Sequence, residues 1–268
     1  MLKDITLGQY FPGNSAIHRL DPRTKLIALI VYMVALFVAS GWVAYGVLLL
    51  FLLTVIKISA IPGKAIIRGM KPLVMILIFT GVLNLFFTKE GRVLVNFWVI
   101  TITTGGVERA AFMVARILML ITATFLLTYT TSPISLTDGL ESLMNPLKAV
   151  KVPVHELSMM MCIALRFIPT LIEETDKIMS AQKARGADFE SGNLFQKAKA
   201  LVPILVPLFI SAFRRADELA TAMECRCYQG GEGRTKMKQL HYQRNDFAAF
   251  SAAALLAAAV IILKNVGL

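Results

Sequence analysis

The sequence predicts an all-α membrane protein with about five transmembrane helices plus a cytoplasmic domain of long helices. Two observations carry this. Of 268 residues 56% are hydrophobic and the mean hydropathy is +0.66, well above an ordinary soluble domain. Charged residues nevertheless make up 17%, too many for a chain embedded throughout in a bilayer. They also sort by position: Asp4, Asp21, Glu90 and Glu108 are the only acidic residues before Asp138, whereas residues 138–246 carry both signs in near balance. A basic, acid-poor half reads as spans joined by positive loops, and the mixed stretch as water-exposed helix.

The expected organisation is an interfacial arm over residues 1–25, transmembrane helices 1–4 over 26–131, a cytoplasmic helical domain over 132–245 and a last transmembrane helix over 246–268. The arm is polar and rich in turn residues, running through Phe11-Pro12-Gly13 to His18-Arg19-Leu20-Asp21-Pro22-Arg23. Leu26 to Ile56 is free of charge, and one straight helix of that length would reach about 46 Å, against a hydrocarbon core of about 30 Å. Two short spans are expected instead, turning at Ser40-Gly41-Trp42 with Trp42 at the interface. Lys57, Lys64, Arg68 and Lys71 then form a basic loop, placed in the cytoplasm with the N-terminal end by the positive-inside rule. Pro72–Thr88 is the third span, and the Val-, Ile- and Thr-rich stretch from Lys89 to Arg109 is expected to be extended or irregular. Ala110–Tyr129 is the fourth span, with Arg116 able to snorkel or pair.

Ser132-Pro133 interrupts the helical pattern, and Asp138 with Glu141 has the spacing of a capping box opening a short helix to about Val150. From Val154 a long helical pattern runs to Arg185 through Pro169. Asn193 and Gln196 resemble a second capping box, opening a helix that passes Pro203 and Pro207 and closes at Tyr228. The two long helices share a plan of apolar start, internal proline and charged end. Phe247–Leu263 is the alanine-rich fifth span, with Ala249, Ala253 and Ala257 on one face where small residues permit close helix contact in lipid.

Catalytic chemistry is thinly represented. Gly230 to Thr235 lacks the spacing and lysine of a phosphate cradle, so no nucleotide site is expected. His155-Glu156 begins like a zinc-protease helix, but Met159 stands where the second histidine belongs, and neither a metal nor a cofactor is expected. The three cysteines, Cys162, Cys225 and Cys227, read as reduced thiols. The net charge of +11 sits in short loops beside apolar runs, which fits anionic membrane lipid rather than nucleic acid. One alternative reading is a membrane-embedded lipid or prenyl-transfer enzyme using Glu173, Glu174 and Asp176.

The two long helices end in Ala184-Arg185-Gly186 and Cys225-Arg226-Cys227. Either arginine alone would complement a helix macrodipole, an effect of about 0.3–1 kcal/mol. The repetition, 41 residues apart at the ends of similarly built helices, points further. With the arm His18 to Leu26, these ends make the chain resemble the transmembrane T component of energy-coupling-factor (ECF) transporters, ABC importers for vitamins and transition-metal ions. The first end matches that family's Ala-Arg-Gly pattern in full; the second keeps the arginine and replaces both small neighbours by cysteine.

The resemblance implies a multi-pass protein of the prokaryotic inner or plasma membrane whose residues 132–245 form a coupling-helix domain. It implies a non-catalytic subunit: Ala184, Arg185, Gly186, Cys225, Arg226 and Cys227 dock on two cytosolic ABC ATPase subunits, which hydrolyse ATP. It also implies that the chain holds a substrate-binding membrane protein, the S component, for vitamin or micronutrient uptake. The run Met159-Met160-Met161 is the expected adaptable surface for S components, since unbranched thioether side chains repack readily.

Overall fold

The computed structural model describes residues 10–88, 92–97, 100–187, 189, 193–231, 237 and 239–266, with the side chains of 93–102, 194, 197 and 198 left aside. Expectations placed on residues 1–9, on Lys89, on 188 and 190–192, and on 232–235 lie outside the described residues. In chain order the helices are α1 (Pro22–Val38), α2 (Trp42–Ser59), α3 (Gly63–Met70), α4 (Val74–Phe87), α5 (Thr104–Thr130), α6 (Pro133–Met144), α7 (Val154–Ala184), α8 (Leu194–Glu224) and α9 (Arg244–Val266). Between α4 and α5, β1 (Val93–Phe97) pairs with β2 (Ile100–Thr103) as a two-stranded antiparallel ribbon, with Phe97 opposite Ile100 and Asn96 opposite Thr101. The chain is an all-α membrane protein with that ribbon as its one extended element among the described residues.

Local chemistry sets these boundaries. The Asp21 carboxylate accepts from the Arg23 backbone N–H at 2.9 Å and Pro22 takes the first helical position of α1. Gly41, at φ +87°, turns the chain between α1 and α2 as expected. The Thr103 hydroxyl opens α5, accepting from the Gly106 N–H at 3.1 Å and donating to the Thr88 carbonyl at 3.0 Å. The Ser132 hydroxyl accepts from the Ser135 N–H at 3.2 Å, with Pro133 next in line.

Two expectations are corrected. The pair Asp138 and Glu141 does not open α6, because Ser132 caps it and Pro133 suits its first turn, where no amide hydrogen is needed. Most of the basic stretch from Lys57 to Lys71 is helix rather than loop, since α3 fills Gly63–Met70 and a 3₁₀ turn over Lys71–Leu73 feeds α4. Among the described residues five helical stretches are long and apolar enough to cross a bilayer: Trp42–Ser59, Gly63–Phe87, Thr104–Thr130, Val154–Ala184 and Arg244–Val266.

The chain divides into two compact units, one of residues 8–139 with 240–268 and the other of residues 140–239. In the first, α1 packs along α9 and against α5, and α2 packs against both α5 and α9. Tyr32, Leu36, Leu48, Met119, Leu256 and Val260 form its core with Ala35, Ala39, Ala44 and Ala123. Lipid removes the usual hydrophobic drive between helices, so the small alanines matter by letting backbones approach. Arg116 is held by donating to the Tyr45 hydroxyl at 2.8 Å. In the second unit α7 packs on α8, and a 3₁₀ run over Asn145–Val150 leads into α7.

Candidate functional site

Both tips are built by the same backbone motif. After α7, Gly186 N–H donates to the Lys183 carbonyl at 3.0 Å and Ala187 N–H to the Gln182 carbonyl at 3.0 Å. After α8, Cys227 N–H donates to the Glu224 carbonyl at 2.8 Å and Tyr228 N–H to the Met223 carbonyl at 3.0 Å. Each is the double bond of a Schellman cap, closed by a residue in the left-handed region: Gly186 at φ +87° and Cys227 at φ +56°. Arg185 and Arg226 therefore occupy the same position, one residue before the left-handed turn. A Cβ at Gly186 would meet nothing within 4 Å, so glycine is favoured there by the backbone angle and not by space. All six tip residues are exposed. Neither guanidinium has an ion-pair partner among the described residues.

The two helices run antiparallel. Arg215 of α8 donates to the Glu174 carboxylate of α7 at 2.8 Å, while Tyr228, just beyond α8, donates its hydroxyl to Met159 Sδ at 3.2 Å, near the start of α7. Glu174 and Arg215 are 41 residues apart, the same interval that separates the two tip arginines. The ion pair thus lies three turns from each tip, roughly 16 Å along either helix at about 1.5 Å per residue. The tips point to opposite ends of the pair, on the order of 30 Å apart by the same rise.

The acidic cluster weighed for transfer chemistry is split by this arrangement: Glu174 is taken up by Arg215 and Glu173 faces outward. His155 Nδ1 lies 3.3 Å from Glu141 Oε1. The three methionines are also divided, Met159 half-buried against Tyr228 and Met160 and Met161 exposed. Further apolar side chains of α8, among them Val202, Val206, Phe209 and Phe213, are exposed as well.

Residues 13–237 match the family model described as CbiQ, cobalt transport protein. Across 98% of its length the chain is 58% identical to the energy-coupling factor transporter transmembrane protein EcfT of Thermosediminibacter oceani, covering 99% of that relative. The EcfT of Clostridium kluyveri is 53% identical over 99% of the chain and 98% of its own length, and that of Bacillus subtilis 47% identical over 98% and 100%. The chain belongs to the CbiQ/EcfT family. It is an EcfT-type transmembrane component of an energy-coupling factor transporter, and a multi-pass protein of the bacterial cell membrane.

The arm that EcfT resemblance singled out in sequence closes a buried charge network in the first unit. Asp246, fully buried at the head of α9, accepts from the Asp21 backbone N–H at 2.9 Å and from the Gln243 N–H at 2.7 Å. Arg23 grips the Asp21 carboxylate with Nε at 3.1 Å and Nη2 at 2.9 Å, donates to the Leu240 carbonyl at 3.0 Å and stacks 4.2 Å over the Tyr242 ring. Lys25 Nζ donates to the Thr130 carbonyl at 2.9 Å, tying α1 to the end of α5. Burial would raise the Asp21 carboxyl, but the Arg23 side chain and backbone N–H outweigh it and hold the group below its ordinary value. Sequence reading missed Asp246, treating it as the polar edge of a span, and missed Glu174 as the crossing residue. The second was signalled by the 41-residue interval it shares with the tips.

Proposed function

We propose that this EcfT-family chain couples two cytosolic ABC ATPase subunits to a substrate-binding S component for vitamin or micronutrient uptake. In this reading residues 132–245 are the cytoplasmic coupling-helix domain and residues 26–131 and 246–268 the membrane spans, with the N-terminal end inside. Ala184-Arg185-Gly186 docks on one ATPase subunit and Cys225-Arg226-Cys227 on the other.

The supporting observation is the pair of matched caps at opposite ends of an antiparallel helix pair, each presenting an exposed arginine. Tips on the order of 30 Å apart serve two grooves rather than one. A planar guanidinium entering a groove pairs bidentately with a carboxylate, and truncating one partner of such a desolvated pair costs about 2–5 kcal/mol. The Glu174–Arg215 pair ties the two helices at equal distance from both tips, so closure of the ATPases moves both arms together. Met160 and Met161, with Met159 anchored behind them, offer an adaptable apolar patch to the S component.

Arg185→Ala combined with Arg226→Ala is expected to abolish capture of the ATPase subunits in a detergent pull-down while the chain remains in the membrane. ATPase capture at the wild-type level by the double variant would refute the docking assignment. Leucine in place of Met160 and Met161 is expected to change the relative affinities of competing S components; unchanged affinity for every one would remove the methionine patch from the reading.

A further inference from the structure

We propose that the first unit holds one anionic phospholipid, with an acyl chain in a cavity between α1, α2, α5 and α9 and its head among the basic residues at the α1 entrance. This rests on the membrane-spanning unit alone and is independent of ATPase docking. The cavity has a volume of about 450 Å³. That lies within the roughly 300–1,000 Å³ of clefts that bind single small molecules. Its walls are almost wholly apolar, with Ala28 of α1, Val55 of α2, Leu127 of α5 and Ala249 and Ala252 of α9 among them. A helix about 10–12 Å across does not fit a cavity of about 450 Å³, whereas a hydrocarbon chain does.

Thr24, Lys25, Thr130 and Asn245 join the lining at one end, while Tyr32 and Thr54, which also line it, donate their hydroxyls to the Leu48 and Leu50 carbonyls. Thr24 is fully buried behind this end, its hydroxyl out of reach of the cavity. Lys25 brings positive charge to the same end while its donors go to Thr130, His18 and Thr131. Arg19 and Lys57, both exposed, adjoin the lining residues Leu20 and Ile58. An apolar slot ending in a polar, cationic mouth matches an anionic phospholipid rather than a neutral hydrocarbon or a zwitterionic lipid.

The test is native mass spectrometry of the full chain in mild detergent, titrated with phosphatidylglycerol or with phosphatidylcholine of identical acyl chains. One phosphatidylglycerol is expected to be retained, at least tenfold more tightly than phosphatidylcholine. Ala252→Phe, which fills the slot, should abolish retention, and Arg19→Gln with Lys57→Gln should erase the preference between headgroups. The exposed pair Arg19→Gln with Lys57→Gln, which leaves the packing intact, covers the case in which the Phe variant does not fold. The proposal is overturned by retention no greater than a random detergent-lipid distribution. Equal retention of both lipids by the wild type, an undiminished headgroup preference in the variant with Arg19→Gln and Lys57→Gln, or displacement of the lipid by a co-purifying membrane protein would overturn it equally.

Discussion

Charge is used in opposite ways in the two units of this EcfT-family chain. In the first, Asp21, Arg23, Lys25 and Asp246 are largely withdrawn from water and satisfy one another and nearby backbone groups. In the second, Arg185 and Arg226 stand exposed on rigid caps. A buried, mutually satisfied charge fixes helix ends in place, because removing one member strands the others. An exposed guanidinium on a fixed backbone does little for its own fold and leaves its five donors for a partner. Damage to the first set should therefore appear as lost stability, and damage to the second as lost association.

The largest effect is expected from Asp246→Ala, which orphans the buried Asp21 amide and the partly buried Gln243 amide. It should destabilise the chain by about 3–5 kcal/mol, seen as a lower unfolding midpoint in detergent. If the midpoint is unchanged, the buried network does not hold the unit together. Next is Arg185→Ala alone, expected to weaken ATPase association by about 2–5 kcal/mol while shifting stability by no more than about 0.5 kcal/mol. A stability loss matching the association loss would erase the contrast between the units.

Between these and the smallest effects lies the crossing pair. Glu174→Arg sets two like charges against each other and should uncouple ATP hydrolysis from uptake, with about 1 kcal/mol or less lost in stability because the pair is partly exposed. The exchange Glu174→Arg with Arg215→Glu should restore coupling, which a residue valued only for its individual charge would not do. The caps sharpen the comparison within the second unit. Gly186→Ala places a side chain in the left-handed region and should cost about 1–2 kcal/mol locally. Cys227→Gly relieves the same strain, offset by the flexibility of unfolded glycine, and should gain about 0.5–1 kcal/mol.

The smallest effect is the pH dependence of Asp21. Its carboxyl is held below its ordinary value of 3.8, so its stabilisation is complete above that value and fades as pH falls through the lower folded value. Asp21→Asn should remove that part of the acid dependence in a melting series between neutral pH and about pH 2.

Much of this was legible in the residues. Gly41 marked the first turn, Asn193 and Gln196 opened α8, and the two tips announced themselves by repetition. Local chemistry was misread where two signals competed. Ser132-Pro133 interrupts the helical pattern along the chain, yet a proline that cannot donate is well suited to a first turn, and Ser132 rather than Asp138 is the cap. The stretch from Lys57 to Lys71 looked like loop because its charges obscured the helix of Gly63–Met70.

The sequence by itself determined the membrane class, the helical character, the family and the residues at the tips, because hydropathy, period and short motifs are properties of neighbours along the chain. Only the tertiary structure decided that Cys227 adopts the left-handed turn of Gly186, that Glu174 meets Arg215, and that Asp246 receives the Asp21 amide from 225 residues away. Those pairings depend on which helix faces pack, and no local pattern records the facing partner.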